Sequence, residues 1–116
     1  MAVLWCSRCS ATFEPYPPLY TCKECNGFLE YAYDFEQLRR VELTGSFTFW
    51  RYRLLLPEVK SVVTMGEGGT PLHKAERLAG EIGLGDVFLK DETRNPTNSF
   101  RDRCATLMVS NAQDLN

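Results

Sequence analysis

No apolar run in this chain approaches the roughly 20 residues that a membrane-spanning helix needs, so no membrane partner is expected. Basic residues form no block either: 13 Lys and Arg stand against 15 Asp and Glu, for a net charge of −2. That balance disfavours nucleic-acid binding through phosphate neutralisation. Histidine is almost absent. His73 is the only one; it has no histidine partner at metal-ligating spacing, and an exposed or capping place is expected for it rather than a catalytic one. The opening residues MAVLWCSRCS make no secretory signal, because Cys6 and Arg8 interrupt any apolar core. Disorder is not expected, since 44% hydrophobic and 24% charged residues are ordinary globular values. The 116 residues suffice for one modest domain, or for a small module plus part of a larger one.

Cysteine, by contrast, is plentiful and paired. Cys6 and Cys9 form one CxxC, Cys22 and Cys25 another, with twelve residues between the pairs. Two residues between thiolates let a tight turn place both sulfurs on one tetrahedral ion, and two such turns complete four ligands. Gly27 follows the second pair, where the chain has to turn away. The pattern predicts a zinc ribbon over residues 1–33: a knuckle, strands around Pro15–Pro18, a second knuckle, and a strand from Phe28 to Tyr33. So short a module cannot bury enough surface to fold without its ion, so metal and fold should be linked. Four thiolates leave no open position, which makes the zinc structural. Redox CxxC pairs or an iron–sulfur site are the competing readings; a thioredoxin-like pair would follow a strand at a helix start, and these do not. The odd cysteine count, the paired spacing and the missing signal point to a reducing, cytoplasmic setting rather than to a disulfide scaffold. Cys104 lies outside the pairs and is expected as a small buried residue.

Residues 34–60 read as a helical linker. Asp34 is an N-cap candidate for a short helix through Arg40, with Phe35, Leu38 and Val41 on one stripe. FTFWRYRLLLP reads as an aromatic packing helix stopped by Pro57, with Arg51 and Arg53 solvated. Residues 61–116 read as the start of an α/β domain. Val62 to Thr64 suit a short strand leading into GEGGTPL, whose glycines at 66, 68 and 69 permit positive φ or a close backbone approach. They match neither a Walker nor a Rossmann fingerprint. A helix from Leu72 to Ile82 is predicted, with Leu72, Ala75, Leu78, Ala79 and Ile82 on its core face and Gly83 and Gly85 ending it.

The chain is organised around VFLKDETRNPTNSFRDR, Val87 to Arg103. Val87 to Leu89 suit a buried strand, Asn95-Pro96 a turn, and Ser99 with Asp102 a capping box opening a final helix covered on most sides. A helix N-terminus facing a strand end favours anions. Without further knowledge this is an ordinary strand-to-helix turn.

As a motif, LKDETRNPTNSFRDR resembles the segment carrying the Schiff-base lysine in threonine synthases, within the fold type II family of pyridoxal-phosphate enzymes. Leu89, Lys90, Glu92, Asn95, Pro96, Thr97, Ser99, Phe100, Asp102 and Arg103 match the pattern LKxE…NPTGSFKDR. GEGGTPL resembles the family's entry loop, and WRYRLLLP a segment that follows the zinc ribbon in some members. Two positions depart: Asn98 stands where glycine is usual, and Arg101 where the cofactor lysine is expected. A guanidinium cannot serve as a neutral primary amine, although it can pair with a cofactor phosphate or with a substrate carboxylate or phosphate. Lys90 aligns with the strand lysine of LKxE and is not expected to replace it.

The resemblance implies an α/β chain: an N-terminal zinc ribbon, then the first part of a tryptophan synthase β-like domain, about the first third of a threonine synthase. It implies pyridoxal phosphate as cofactor, with Ser99 and Arg101 at its site, and conversion of O-phospho-L-homoserine and water to L-threonine and phosphate. A phosphorylated amino acid would be the substrate, as in relatives such as cysteate synthase. The cofactor-stacking loop, the glycine-rich phosphate cradle and the residue facing the pyridine nitrogen are missing, so the isolated chain is expected to be an inactive fragment prone to homo-oligomerise through unpaired strand edges. The competing reading is a non-catalytic binding or regulatory module with a degenerate cofactor domain, favoured by Arg101.

Overall fold

The computed structural model describes residues 2–115 and is a mixed helix-and-sheet chain that divides into two compact units. One comprises Met1–Gly45 with Trp50–Lys60, the other Ser46–Phe49 with Ser61–Asn116.

The first unit is built on a three-stranded antiparallel sheet. Strand β1 (Ala2–Cys6) lies in the centre, between β2 (Thr12–Phe13) and β3 (Leu29–Tyr33). Leu4 pairs with Phe13 on one side and Tyr31 on the other, and Cys6 faces Leu29. The strand expected around Pro15–Pro18 is absent. That stretch is a loop with a cis Tyr16-Pro17 bond, and the ladder ends at Phe13 because proline has no N–H to donate. Asp34 caps helix α1 (Phe35–Leu38), its carboxylate accepting from the N–H groups of Glu36 and Gln37, both at 3.1 Å. The aromatic segment forms a 3₁₀ helix, Phe49–Leu55, kinked at Tyr52. Arg51 and Arg53 are not merely solvated: they donate to the carbonyls of Leu43 and Val59, at 3.0 and 2.6 Å.

The second unit departs further from its expected pattern. Leu72–Lys74 is strand β4 rather than the first turn of a helix, and it pairs antiparallel with β5, Phe88–Lys90. Helix α2 then runs from Glu76 to Ile82 and closes on Gly83, whose φ of 69° is the left-handed cap position. Of the expected core face only Ala79 is buried; Leu72 and Ile82 are 62% and 54% exposed. Val62 to Thr64 form no strand. Val63 instead spends its backbone groups on helix α3 (Asp102–Leu115), accepting from Thr106 Oγ1 at 2.6 Å and donating to Ser110 Oγ at 2.9 Å. Met108 and Val109 on α3 are exposed, as is Cys104, which the sequence had suggested would be buried. Among the described residues of this unit the buried groups are mostly polar: Glu67, Thr70, Asn95, Thr106 and Ser110, with Ala79 the apolar exception. No helix among the described residues is long and apolar enough to cross a membrane.

Candidate functional site

Two clusters of side chains stand out, one in each unit. In the first, the two CxxC turns have the same construction. Cys6 N–H donates to Ala11 and Ser10 N–H to Cys6; Cys22 N–H donates to Gly27 and Asn26 N–H to Cys22, each at 2.9 Å. Ser10 and Asn26 take the left-handed conformation, with φ of 63° and 57°. The sharp turn thus falls on Asn26, and Gly27 serves another purpose. A Cβ on Gly27 would lie 3.2 Å from the sulfurs of Cys6 and Cys25 and 3.0 Å from Arg8 Cβ, so glycine leaves room for the sulfurs to converge.

All four Sγ atoms lie within 4.8 Å of one another. Cys6 and Cys25 are 3.5 Å apart, Cys9 and Cys22 3.6 Å. Tetrahedral zinc with bonds of about 2.3 Å requires sulfurs about 3.8 Å apart, so the donor set fits that ion. The crowded thiols differ in acidity. The N–H of Cys9 favours the Cys6 thiolate and draws its pKa down to about 6. The N–H of Ala11 favours the Cys9 thiolate, but the neighbouring thiols, Cys25 foremost, and burial outweigh it and push Cys9 up to about 12. A cation among the sulfurs would let all four ionise.

In the second unit the organising group is Glu92, which follows Asp91 at the end of β5. Its carboxylate receives Arg103 in a two-pronged pair, Nε to Oε2 and Nη2 to Oε1, both 2.8 Å. Asn95 Nδ2 donates to Oε2 at 2.9 Å and Thr70 Oγ1 to Oε1 at 2.5 Å. The Arg103 hydrogen bonds, then that of Thr70, hold the Glu92 pKa down at about 2 despite the burial that opposes ionisation. Asn95 carries the connection onward, accepting from the N–H of Gly68 at 3.0 Å. The lock therefore joins the glycine loop, the end of β5 and the first turn of α3.

The glycine loop answers to close approach as well as to φ. Gly66, Gly68 and Gly69 have φ of 82°, 89° and 59°. A Cβ on Gly69 would stand 1.7 Å from the Phe47 carbonyl oxygen, and one on Gly68 2.4 Å from the Phe49 nitrogen. Between them Glu67 is 2% exposed. Burial opposes its charge, but N–H groups of Glu67 and Met65 and the hydroxyls of Thr106 and Thr64 outweigh that and keep its pKa below the ordinary value.

The turn carrying the expected cofactor residues runs from Asn95 to Arg101. Asn98 N–H donates to the Asn95 carbonyl at 2.8 Å, and Asn98 is left-handed, with φ of 58°. This explains the position at which the related motif has glycine: both residues tolerate that conformation. Asn98→Ala is expected to cost about 1 kcal/mol and Asn98→Gly close to nothing, read from urea melts of the two variants. The capping box is not formed as expected. Ser99 Oγ accepts from the N–H of Arg101 at 3.2 Å, while the Asp102 carboxylate turns back to the N–H of Thr97 at 2.8 Å. Arg101 is exposed; its guanidinium lies 3.4 Å from Ser99 Oγ and 5.3 Å from the Phe100 ring centre. Lys90 points elsewhere. Its Nζ donates to the Thr70 carbonyl and sits 5.8 Å from the centre of the Phe47 ring. His73 is exposed and pairs with Asp91 at 3.7 Å.

Reading apolar periodicity passed over Thr70 and Asn95, both 3% exposed. The signal for them was available: a carboxylate and an arginine eleven positions apart, with hydroxyl and amide groups in the intervening turn and the preceding loop.

Comparison with known proteins finds relatives for both units. Residues 63–115 match the family described as pyridoxal-phosphate dependent enzyme. A threonine synthase of Methanosarcina acetivorans is 39% identical over 97% of this chain, and one of Methanocaldococcus jannaschii 37% identical over 95%. A threonine synthase of Mycobacterium leprae is 43% identical over 59% of the chain. The chain spans 28% and 29% of the lengths of the two archaeal relatives. No solved structure matches. The chain thus resembles threonine synthases over nearly its whole length.

Proposed function

We propose that this threonine synthase-like chain supplies the N-terminal portion of a pyridoxal-phosphate-dependent lyase that converts O-phospho-L-homoserine and water to L-threonine and phosphate. The observation that supports this most is the identity of 39% and 37% to two threonine synthases across both units, not the cofactor-family segment alone. The domain plan follows: a zinc ribbon over residues 1–33, a helical linker over 34–60, and the start of the cofactor domain over 61–116. Cys6, Cys9, Cys22 and Cys25 hold zinc, which is structural because four thiolates fill its coordination. The paired CxxC spacing, which suits metal binding rather than a disulfide scaffold, favours a reducing, cytoplasmic setting. The substrate class is a phosphorylated amino acid; a net charge of −2 gives nucleic acid little to bind. Exposed Leu72, Phe88 and Leu89 on the β4–β5 sheet favour association with further polypeptide, a second copy of the chain included.

Pyridoxal phosphate would supply the electron sink for elimination when bound. Its covalent fit fails at one point: the residue matching the Schiff-base lysine is Arg101, and a guanidinium is protonated and delocalised at any biological pH. That observation favours the second reading, a non-catalytic module retaining the cofactor-domain frame, and the isolated chain is expected to be inactive. A hybrid separates the two. Residues 1–116 carrying Arg101→Lys replace the matching portion of the Methanosarcina acetivorans enzyme, and phosphate release from O-phospho-L-homoserine is measured. Release is expected with lysine, and release on the order of a thousandfold slower with arginine. A folded hybrid that releases none with Arg101→Lys overturns the proposal.

A further inference from the structure

The lock around Glu92 fixes the setting of position 101 without using the side chain found there. Its bonds run from Arg103, Asn95 and Thr70 to the Glu92 carboxylate and from Gly68 to Asn95. The turn is then closed by Asn98 on Asn95 and by Asp102 on Thr97. None of these bonds involves the Arg101 guanidinium, which has no carboxylate in ion-pair reach among the described residues. A residue at 101 is therefore presented from a frame that does not depend on its own chemistry.

Lys90 is the amine nearest in sequence to that turn, and its role is different. It stands at the end of β5, bonded across to the Thr70 carbonyl, on the very residue whose hydroxyl enters the lock. Its ammonium also lies near the Phe47 ring. Both contacts engage the nitrogen with the chain itself. Covalent capture of an aldehyde requires instead an amine nitrogen free to add to the carbonyl carbon, with the oxygen leaving as water.

We infer that the chain keeps the frame for a reactive amine at position 101 but supplies none, and that Lys90 is a structural donor rather than its replacement. This rests on the cofactor-domain reading above. The test uses the 116-residue chain itself, incubated with pyridoxal phosphate, reduced with borohydride and mapped by peptide mass spectrometry. The exposed lysines Lys23 and Lys74 report background labelling. In the unaltered chain Lys90 is labelled no more than they are. In the Arg101→Lys variant, position 101 is labelled about threefold or more above them, because the frame holds that amine where the cofactor aldehyde is expected to sit. Preferential labelling of Lys90 in the unaltered chain overturns the inference while leaving the cofactor-domain reading intact, since an amine has then been recruited. Background labelling at position 101 in a variant whose circular dichroism is unchanged overturns the frame, and the cofactor-domain reading with it.

Discussion

Stripping the metal with a chelator, or replacing Cys22 with serine, is expected to abolish the β1–β3 sheet altogether. The reason lies in how little else holds it. Among the described residues the buried apolar groups of that unit are Leu4, Cys6, Cys22 and Val59, and two of the four are cysteines of the proposed metal cluster. At about 25 cal/mol per Å², so small a set cannot offset the roughly 1–2 kcal/mol of backbone entropy lost per ordered residue. Metal binding by four thiolates contributes on the order of 10 kcal/mol in modules of this size, and in them it is the folding free energy. Amide dispersion of residues 2–33 should collapse in nuclear magnetic resonance spectra on chelation and return with zinc. Cys104→Ser is the matched control, since Cys104 is exposed and outside the cluster, and it should change nothing. A dispersed spectrum that survives metal removal would show the sheet to be held by packing.

The second large effect concerns Arg103. Replacing it with methionine keeps the apolar stem but leaves the Glu92 carboxylate with its hydroxyl and amide donors alone. Removing one partner of a part-buried ion pair costs about 3 kcal/mol, more than the pair itself contributes, because the remaining charge loses its compensation. Glu92→Gln should cost less, about 1–2 kcal/mol, as the amide can keep some of the bonds. The pH dependence has a definite sign. The folded pKa of Glu92, about 2, lies below the ordinary 4.5, so the stability it contributes is complete above 4.5 and is lost as pH falls from there towards 2. In the Arg103→Met variant that acid-dependent loss should largely disappear. Urea midpoints measured at pH 7 and pH 3 for both proteins read it directly.

The two units differ in how much of them the residues announced. The paired CxxC spacing carries its geometry in plain form, and the sulfurs converge in the structure. The positive φ of Gly66, Gly68 and Gly69 and the cap at Asp34 were equally visible, because each is a local matter of one residue and its neighbours. The second unit was legible as a motif and poorly legible as packing. Leu72 continues the apolar spacing of the helix behind it, yet it pairs with Lys90 in a strand, since cross-strand bonding is a non-local choice that periodicity does not encode. The final helix, expected to be covered on most sides, leaves Met108 and Val109 exposed. The reason is common to all of these. Periodicity assumes an apolar core, and this unit is centred on a carboxylate with its donors, which only three-dimensional contact reveals. Asn98 and Arg101 show the same division: the first departure from the related pattern keeps the backbone conformation, while the second changes the chemistry and leaves the backbone alone.

The claim that a charged lock, and not an apolar core, builds the frame around position 101 is tested most directly by titrating the Glu92 carboxyl carbon by nuclear magnetic resonance. A midpoint at about 2, rising towards the ordinary range in Arg103→Met, is the result the structure predicts. A midpoint near 4.5 in the unaltered chain, with no response to the substitution, would mean that the carboxylate is free in solution and that the frame is held by something else.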